Sequence, residues 1–254
     1  MLAPSALLRR IRGRCADRPT IWATATGAAL VVVGVVLFIG LLDAVRERDD
    51  IFLADAPVLA WLVASRGPVA TTVFSVITVV AGPYVLPVIV AVGCLCWFLL
   101  GRERWRPMLL VGAVIVSTSL SLVIKGLVAR PRPPVDVMVV PGAETTASFP
   151  SGHTIGAATL LLVAAYLVLS RRAGLARMIG WGIGAPTGIL AVGLSRLYLG
   201  YHFLTDVLAA LALAVAIGGI VIIVDRVRVL RGLPAGEPAP RWCPRADSNC
   251  QPTD

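Results

Sequence analysis

The sequence predicts an all-α protein, a polytopic membrane helix bundle of six transmembrane helices with an additional interfacial or half-inserted helical segment around 51–81. Three observations carry that prediction. Apolar residues make up 57% of the 254 positions against 15% charged, which is not the composition of a water-soluble enzyme. They gather in uninterrupted runs such as Ile21 to Leu42, Met108 to Ile124 and Val207 to Val224, each near the ~20 residues a spanning helix needs. The 23 basic residues fall in short clusters between those runs, where they set topology. A net charge of +9 in a soluble domain points to nucleic acid; here it has another use, and nucleic acid is set aside as a partner.

The elements follow in order. Residues 1–20 form a basic, cytoplasmic N-terminus with Arg9, Arg10, Arg12, Arg14 and Arg18. The apolar run behind it exceeds the core of a signal peptide and lacks a convincing cleavage site, so it reads as a retained first helix over roughly 21–43. Further spans are expected at about 83–100, 107–128, 153–170, 177–197 and 203–225. Between the first two, Val69 to Ala81 is apolar, but its 13 residues at ~1.5 Å each reach only about 20 Å, short of a hydrocarbon core of ~30 Å. That stretch is expected to lie interfacially or half-insert. The six-helix domain thus occupies 21–225, and the Pro-rich, charged tail 226–254 is expected to be disordered on the cytoplasmic side.

Basic residues test this count. With the N-terminus inside, sixteen fall on the cytoplasmic side and seven opposite. Of the seven, Arg46, Arg48 and Arg66 are diluted by Glu47, Asp49, Asp50 and Asp55; topology leaves Lys125, Arg130, Arg132 and Arg196 unexplained. Lys125 is the only lysine, and the only histidines are His153 and His202. The five cysteines include no CxxC pair with a nearby His, which argues against a zinc site or a disulfide framework; Cys94 and Cys96 read as small apolar residues within a span. Gly180-Trp-Gly182-Ile-Gly184 superficially suggests a dinucleotide loop, but no strand precedes it, and it reads as helix packing. Trp61, Trp97, Trp105 and Tyr84 read as interfacial anchors or packing residues.

Three segments carry the chemistry. Lys125 ends the third span ahead of Arg130-Pro131-Arg132-Pro133-Pro134, where prolines stop the helix and fix the reach of the cations. Phe149-Pro150-Ser151-Gly152-His153 opens the fourth span, where Ser151 can cap the helix and free N–H groups suit an anion. Ser195-Arg196 ends the fifth span; His202 and Asp206 open the sixth four residues apart, on one helix face, so that the carboxylate can hold the imidazole. Each alone has an ordinary structural explanation: snorkelling, a serine cap, a satisfied buried acid. Together they put unexplained cations, both histidines and a carboxylate at one membrane face, an oxyanion site with a nucleophile. The set lacks the carboxylates a catalytic magnesium needs, so no metal and no cofactor are expected.

Lys125-x6-Arg132-Pro133, Pro150-Ser151-Gly152-His153 and Ser195-Arg196-x5-His202-x3-Asp206 resemble the three signature motifs of the type 2 phosphatidic acid phosphatase family, bacterial membrane members included. The motifs run from 125 to 206, about a third of the chain. The resemblance implies a metal-independent phosphatase in which His202 forms a phosphohistidine, His153 protonates the leaving group and Asp206 orients His202. It also implies that Lys125, Arg132, Ser151, Gly152 and Arg196 bind phosphate. The implied substrate is a membrane lipid phosphate or a polyprenyl diphosphate, with phosphatidate-type and polyprenyl diphosphate substrates favoured. The protein is then integral to the plasma membrane, with its active site on the extracytoplasmic face and both termini cytoplasmic. Two other readings compete. The vanadium-dependent haloperoxidases share the motifs but are soluble and larger, and a non-enzymatic transporter or scaffold lacks support because no inverted repeat is visible.

Overall fold

The structure is a computed structural model that describes residues 4–101, 104–170 and 174–232. Among them there is no strand. Helix α1 (Pro4–Glu47) is followed by a 3₁₀ turn (Asp50–Ala54), α2 (Asp55–Ala64), α3 (Pro68–Val80), α4 (Val85–Gly101) and α5 (Trp105–Val128). After a second 3₁₀ turn (Val135–Val137) come α6 (Gly152–Leu169), α7 (Leu175–Tyr198) and α8 (Leu204–Gly232). Five of these are long and apolar enough to cross a membrane alone: α1 from Ile21, α5, α6, α7, and α8 to Val229. Helices α3 and α4 pass only together, bent by 55° at their break, and counted as one broken element they make six.

The stretch expected to half-insert therefore resolves into short pieces. Arg48 and Asp50 have φ of 61° and 46°, left-handed values that end α1 and turn the chain into the 3₁₀ segment. Gly67 precedes α3, whose first turn holds Pro68, a residue that suits a helix start because its missing N–H has no partner to lose there. The span expected at 83–100 is realised as α4, the second limb of the broken pair.

Helices α6 and α8 form the centre. Ile155, Ala158, Val163 and Leu167 of α6 and Ala209, Ala210 and Ala214 of α8 are essentially sealed from the surface. Small residues on α8 let neighbouring backbones approach, which is how helices gain contact in lipid, where burial of apolar surface drives nothing. The closest approach is between α1 and α8: a Cβ on Gly34 would lie 2.5 Å from the carbonyl of Ala212, and one on Gly219 would lie 2.5 Å from that of Gly27. Residue 27 opposes 219 and 34 opposes 212, so the two helices run antiparallel.

Two expectations are corrected here. Helix α8 does not give way at 226 but continues to Gly232. The reason is a polar knot: Asp225 accepts from Trp105 Nε1 (3.1 Å) and Tyr166 Oη (2.9 Å), and the Arg228 guanidinium stacks 4.0 Å over the Trp105 ring. Residues 233–254 lie outside the described residues. Nor do Gly180, Gly182 and Gly184 pack a helix, since a Cβ at any of them meets nothing within 4 Å. Trp61 and Tyr84 stand exposed, whereas Trp105 is held by Asp225.

Candidate active site

The three motif segments converge between the ends of α5, α6, α7 and the start of α8. Ala129, with φ 48°, closes α5 by a bond from its N–H to the Lys125 carbonyl, and the prolines beyond carry the chain away extended. Lys125 is buried. Its ammonium donates to the carbonyls of Ala147 and Ser148 (3.4 Å to the latter), so it pins the loop that leads into α6. Arg132 reaches further: Nε donates to the Thr146 carbonyl (2.6 Å), Nη1 to the Tyr201 carbonyl (2.8 Å), and Nη1 lies 3.2 Å from His202 Nε2.

The start of α6 departs from expectation. Ser151 makes no side-chain cap; its hydroxyl accepts from Thr154 Oγ1 (2.9 Å), and its N–H donates to the backbone carbonyl of Asp206 (3.1 Å). The Ser151 N–H is therefore spent within the protein, and what this turn offers an anion is the first N–H groups of α6 from Gly152 onward, beside the Ser151 hydroxyl. The bond from Ser151 instead fastens the α6 start to α8, which sets His153 and His202 in one site.

Arg196, 1% exposed, ends α7 with Nη1 on Thr78 Oγ1 (2.6 Å) and Nη2 on Glu144, while its Nε has no partner. Glu144 is the centre of the cation set. It also accepts from Arg132 Nη2 (2.8 Å) and lies 3.9 Å from His153 Nδ1. Burial favours its neutral form, but Arg196, Arg132 and the two histidines outweigh that and hold the carboxyl below the usual range. A carboxylate thus sits on the very groups suited to a phosphate.

His202 is 1% exposed, with Nδ1 3.3 Å from Asp206 Oδ2 and 3.3 Å from Ser148 Oγ. Ser148 in turn donates to Asp206 Oδ2, which also accepts from the Phe203 N–H (2.9 Å). Acceptors on the Nδ1 side put the proton there and leave the Nε2 lone pair facing Arg132. Burial pushes the imidazole down to about 4, opposed by the bond to Asp206 and reinforced by Arg196 and Arg132, so it is neutral at physiological pH. A neutral imidazole with a carboxylate behind it and cations in front has the chemistry to attack an oxyanion held by those cations.

All eight predicted residues thus gather here, with Lys125 and Ser151 more committed to the protein than expected. Sequence reasoning missed Glu144, Ser148 and Asp55. Asp55 was read as diluting surface charge, yet it is buried at the start of α2 and accepts from Arg130 Nη2 (2.6 Å). Arg130 had carried a signal, as a cation that topology did not explain. Among the described residues no group of three or more His, Cys, Asp or Glu could hold a metal ion.

Known proteins resemble this chain in sequence and fold. Residues 106–229 match the family model described as PAP2 superfamily. Phosphatidylglycerophosphatase B of Bacillus subtilis (strain 168) is 32% identical over 184 residues, covering 71% of this chain and 88% of that protein. The crystal structure of a transmembrane PAP2 type phosphatidylglycerolphosphate phosphatase from Bacillus subtilis superposes with a TM-score of 0.68 at 27% identity, over 77% of this chain and 96% of that one. A structure of Aquifex aeolicus LpxE matches at a TM-score of 0.46 and 21% identity, over 70% of this chain and 95% of that one. With its motif segments assembled around one cationic site and a relative aligned across most of its length, this chain is an integral membrane phosphatase that belongs to the PAP2 superfamily.

Proposed function

We propose that the protein removes the terminal phosphate of a lipid phosphate without a metal ion, through a phosphohistidine on His202. The observation that carries this reading is the position of His202 Nε2, 3.2 Å from Arg132 Nη1, with Nδ1 backed by Asp206 and Ser148. The substrate phosphate displaces Glu144 from Arg132 and Arg196 and takes their donors. Nε2 attacks phosphorus, the ester P–O bond breaks, and His153 gives its proton to the leaving oxygen. Water then attacks the phosphohistidine, with His153 taking the water's proton, and Nε2 leaves with its lone pair restored. Asp206 holds Nδ1–H throughout and stabilises the positive charge that the ring acquires.

Among lipids, the similarity to a phosphatidylglycerophosphatase supports a phosphatidylglycerol phosphate, beside phosphatidate-type and polyprenyl diphosphate substrates. The excess of basic residues, sixteen against seven, supports an extracytoplasmic site with both termini inside. The test is phosphate release by the purified protein across a lipid panel in detergent with EDTA present. Release from at least one lipid phosphate is expected; loss in chelator restored by magnesium refutes the metal-free route.

A further inference from the structure

Arg130 and Asp55 are buried, charged and unused by the hydrolysis just described. Arg130 Nη1 donates to Asp206 Oδ1 (2.6 Å), and Nη2 donates to Asp55 Oδ2 (2.6 Å). Thr205 closes the set. Its Oγ1 accepts from Arg130 Nη1 (2.7 Å) and donates to Asp55 Oδ2 (2.6 Å), while its N–H donates to Asp55 Oδ1 (2.9 Å). The guanidinium is flanked by the rings of Phe203 (4.5 Å) and Phe52 (5.3 Å). Arg130, Asp55 and Asp206 are 7%, 3% and 0% exposed, so solvent screens these charges poorly.

We propose that Arg130 and Asp55 are positioning residues that set the nucleophile through a buried relay, His202–Asp206–Arg130–Asp55. The inference rests on His202 being the nucleophile. Asp206 takes a charge-assisted bond from Arg130 at Oδ1, while Ser148 and the Phe203 N–H donate to Oδ2, so the carboxylate keeps donors and charge when Arg130 is removed. A carboxylate facing an undivided guanidinium is a poor partner for an imidazole, however, because the cation drains its charge. Asp55 takes one arm of the Arg130 fork and leaves Asp206 with enough negative charge to hold His202 Nδ1–H. The relay also explains why an aspartate begins α2: it anchors this short helix to the first turn of α8 and to the nucleophile's support at once.

The arrangement predicts opposite effects from the two charges. The groups facing His202 are Asp206 of α8, Arg196 of α7, His153 of α6, and Arg132 and Glu144 from the loop segments, with Lys125 of α5 acting on Asp206. Neither substitution below replaces any of these groups, although Arg130→Gln removes one of the bonds to Asp206. A unit charge roughly 6 Å away at an effective dielectric of ~20 moves a titration by about one to two pH units. Removing Arg130 raises the midpoint of His202, and removing Asp55 lowers it by less, because Asp55 lies farther away.

The experiment uses the full chain in detergent, labelled with ¹³C,¹⁵N-histidine in a His153→Asn background, so that His202 alone reports by NMR. Expected are an upward shift of about one unit or more for Arg130→Gln, a downward shift for Asp55→Asn, and partial cancellation in the double variant. In the His153-containing protein each single variant should slow phosphoenzyme formation from an aryl phosphate at least about tenfold, with a smaller change in KM. Shifts of the same sign, or no shift in either variant, overturn the relay. Arg130→Lys keeps a cation but cannot fork to two carboxylates, and serves where the neutral variants do not accumulate. It should show a smaller upward shift and slower phosphoenzyme formation, and wild-type values for both overturn the proposal. Opposed shifts in a protein that hydrolyses no phosphate ester leave the relay standing and remove the hydrolase reading instead.

Discussion

In the proposed mechanism a phosphate takes the cations that Glu144 occupies, so Glu144→Gln should tighten oxyanion binding. The carboxylate accepts one bond from Arg132 Nη2 (2.8 Å) and one from Arg196. Charge-assisted bonds of this kind contribute about 1.5–3 kcal/mol each, and an incoming oxyanion must break both. Part of that cost returns, because the Glu144 side chain is already 21% exposed and regains water when released. A net penalty of about 1.5–2 kcal/mol on the oxyanion follows, which is about 10–30-fold in affinity. Glutamine keeps the shape and one acceptor but not the charge. The assay is inhibition of aryl phosphate hydrolysis by orthophosphate and by vanadate, at low salt, in wild type and variant. Inhibition constants that fall by about that factor support the displacement step. Unchanged or weaker inhibition means the phosphate binds beside Glu144 without moving it, and the reasoning fails.

Three further predictions concern the histidines and the topology. His202→Asn should abolish both phosphate release and phosphoenzyme, whereas His153→Asn should retain relatively more activity on an aryl phosphate than on an alkyl lipid phosphate, because an aryl oxide leaves without a proton; quench-flow with radiolabelled substrate separates the two. Because the folded protein holds His202 down to about 4 against an ordinary 6.5, the unfolded chain takes up a proton first as pH falls. Its contribution to stability is full above pH 6.5 and is lost toward pH 4, about 3 kcal/mol in all, and melts of wild type should lose this slope in His202→Gln. A cysteine at Ala143, with the native cysteines replaced, should react with an impermeant reagent in intact cells; reaction only after lysis reverses the assigned orientation.

What could be read from the sequence was whatever stood out against an apolar background. Lys125, Arg196, His153 and Asp206 lie at or inside spans, where a charge needs a reason, and each reason converged on one site. Glu144 and Ser148 lie in a polar loop where acids and hydroxyls are ordinary, and only the fold reveals that two arginines meet the first and Asp206 the second. Asp55 was hidden among Glu47, Asp49 and Asp50, since nothing in a run of acids says which one turns inward. The broken α3–α4 pair was half legible: length excluded a span at 69–81, but the 55° bend depends on packing. The glycines of α7 misled because small residues at close spacing allow a close approach without supplying the helix that makes it.

The antiparallel contact of α1 with α8 also fixes an order of assembly. Among the described helices α1 is completed by α8, so its glycine face at Gly27 and Gly34 waits in lipid until α8 follows it. Contacts this distant in sequence form late. Asp206 lies in the first turn of α8, and His202 just before it. A chain that stops short of Tyr201 therefore has neither the glycine face of α1 covered nor the His202–Asp206 pair, and both arrive with the same segment.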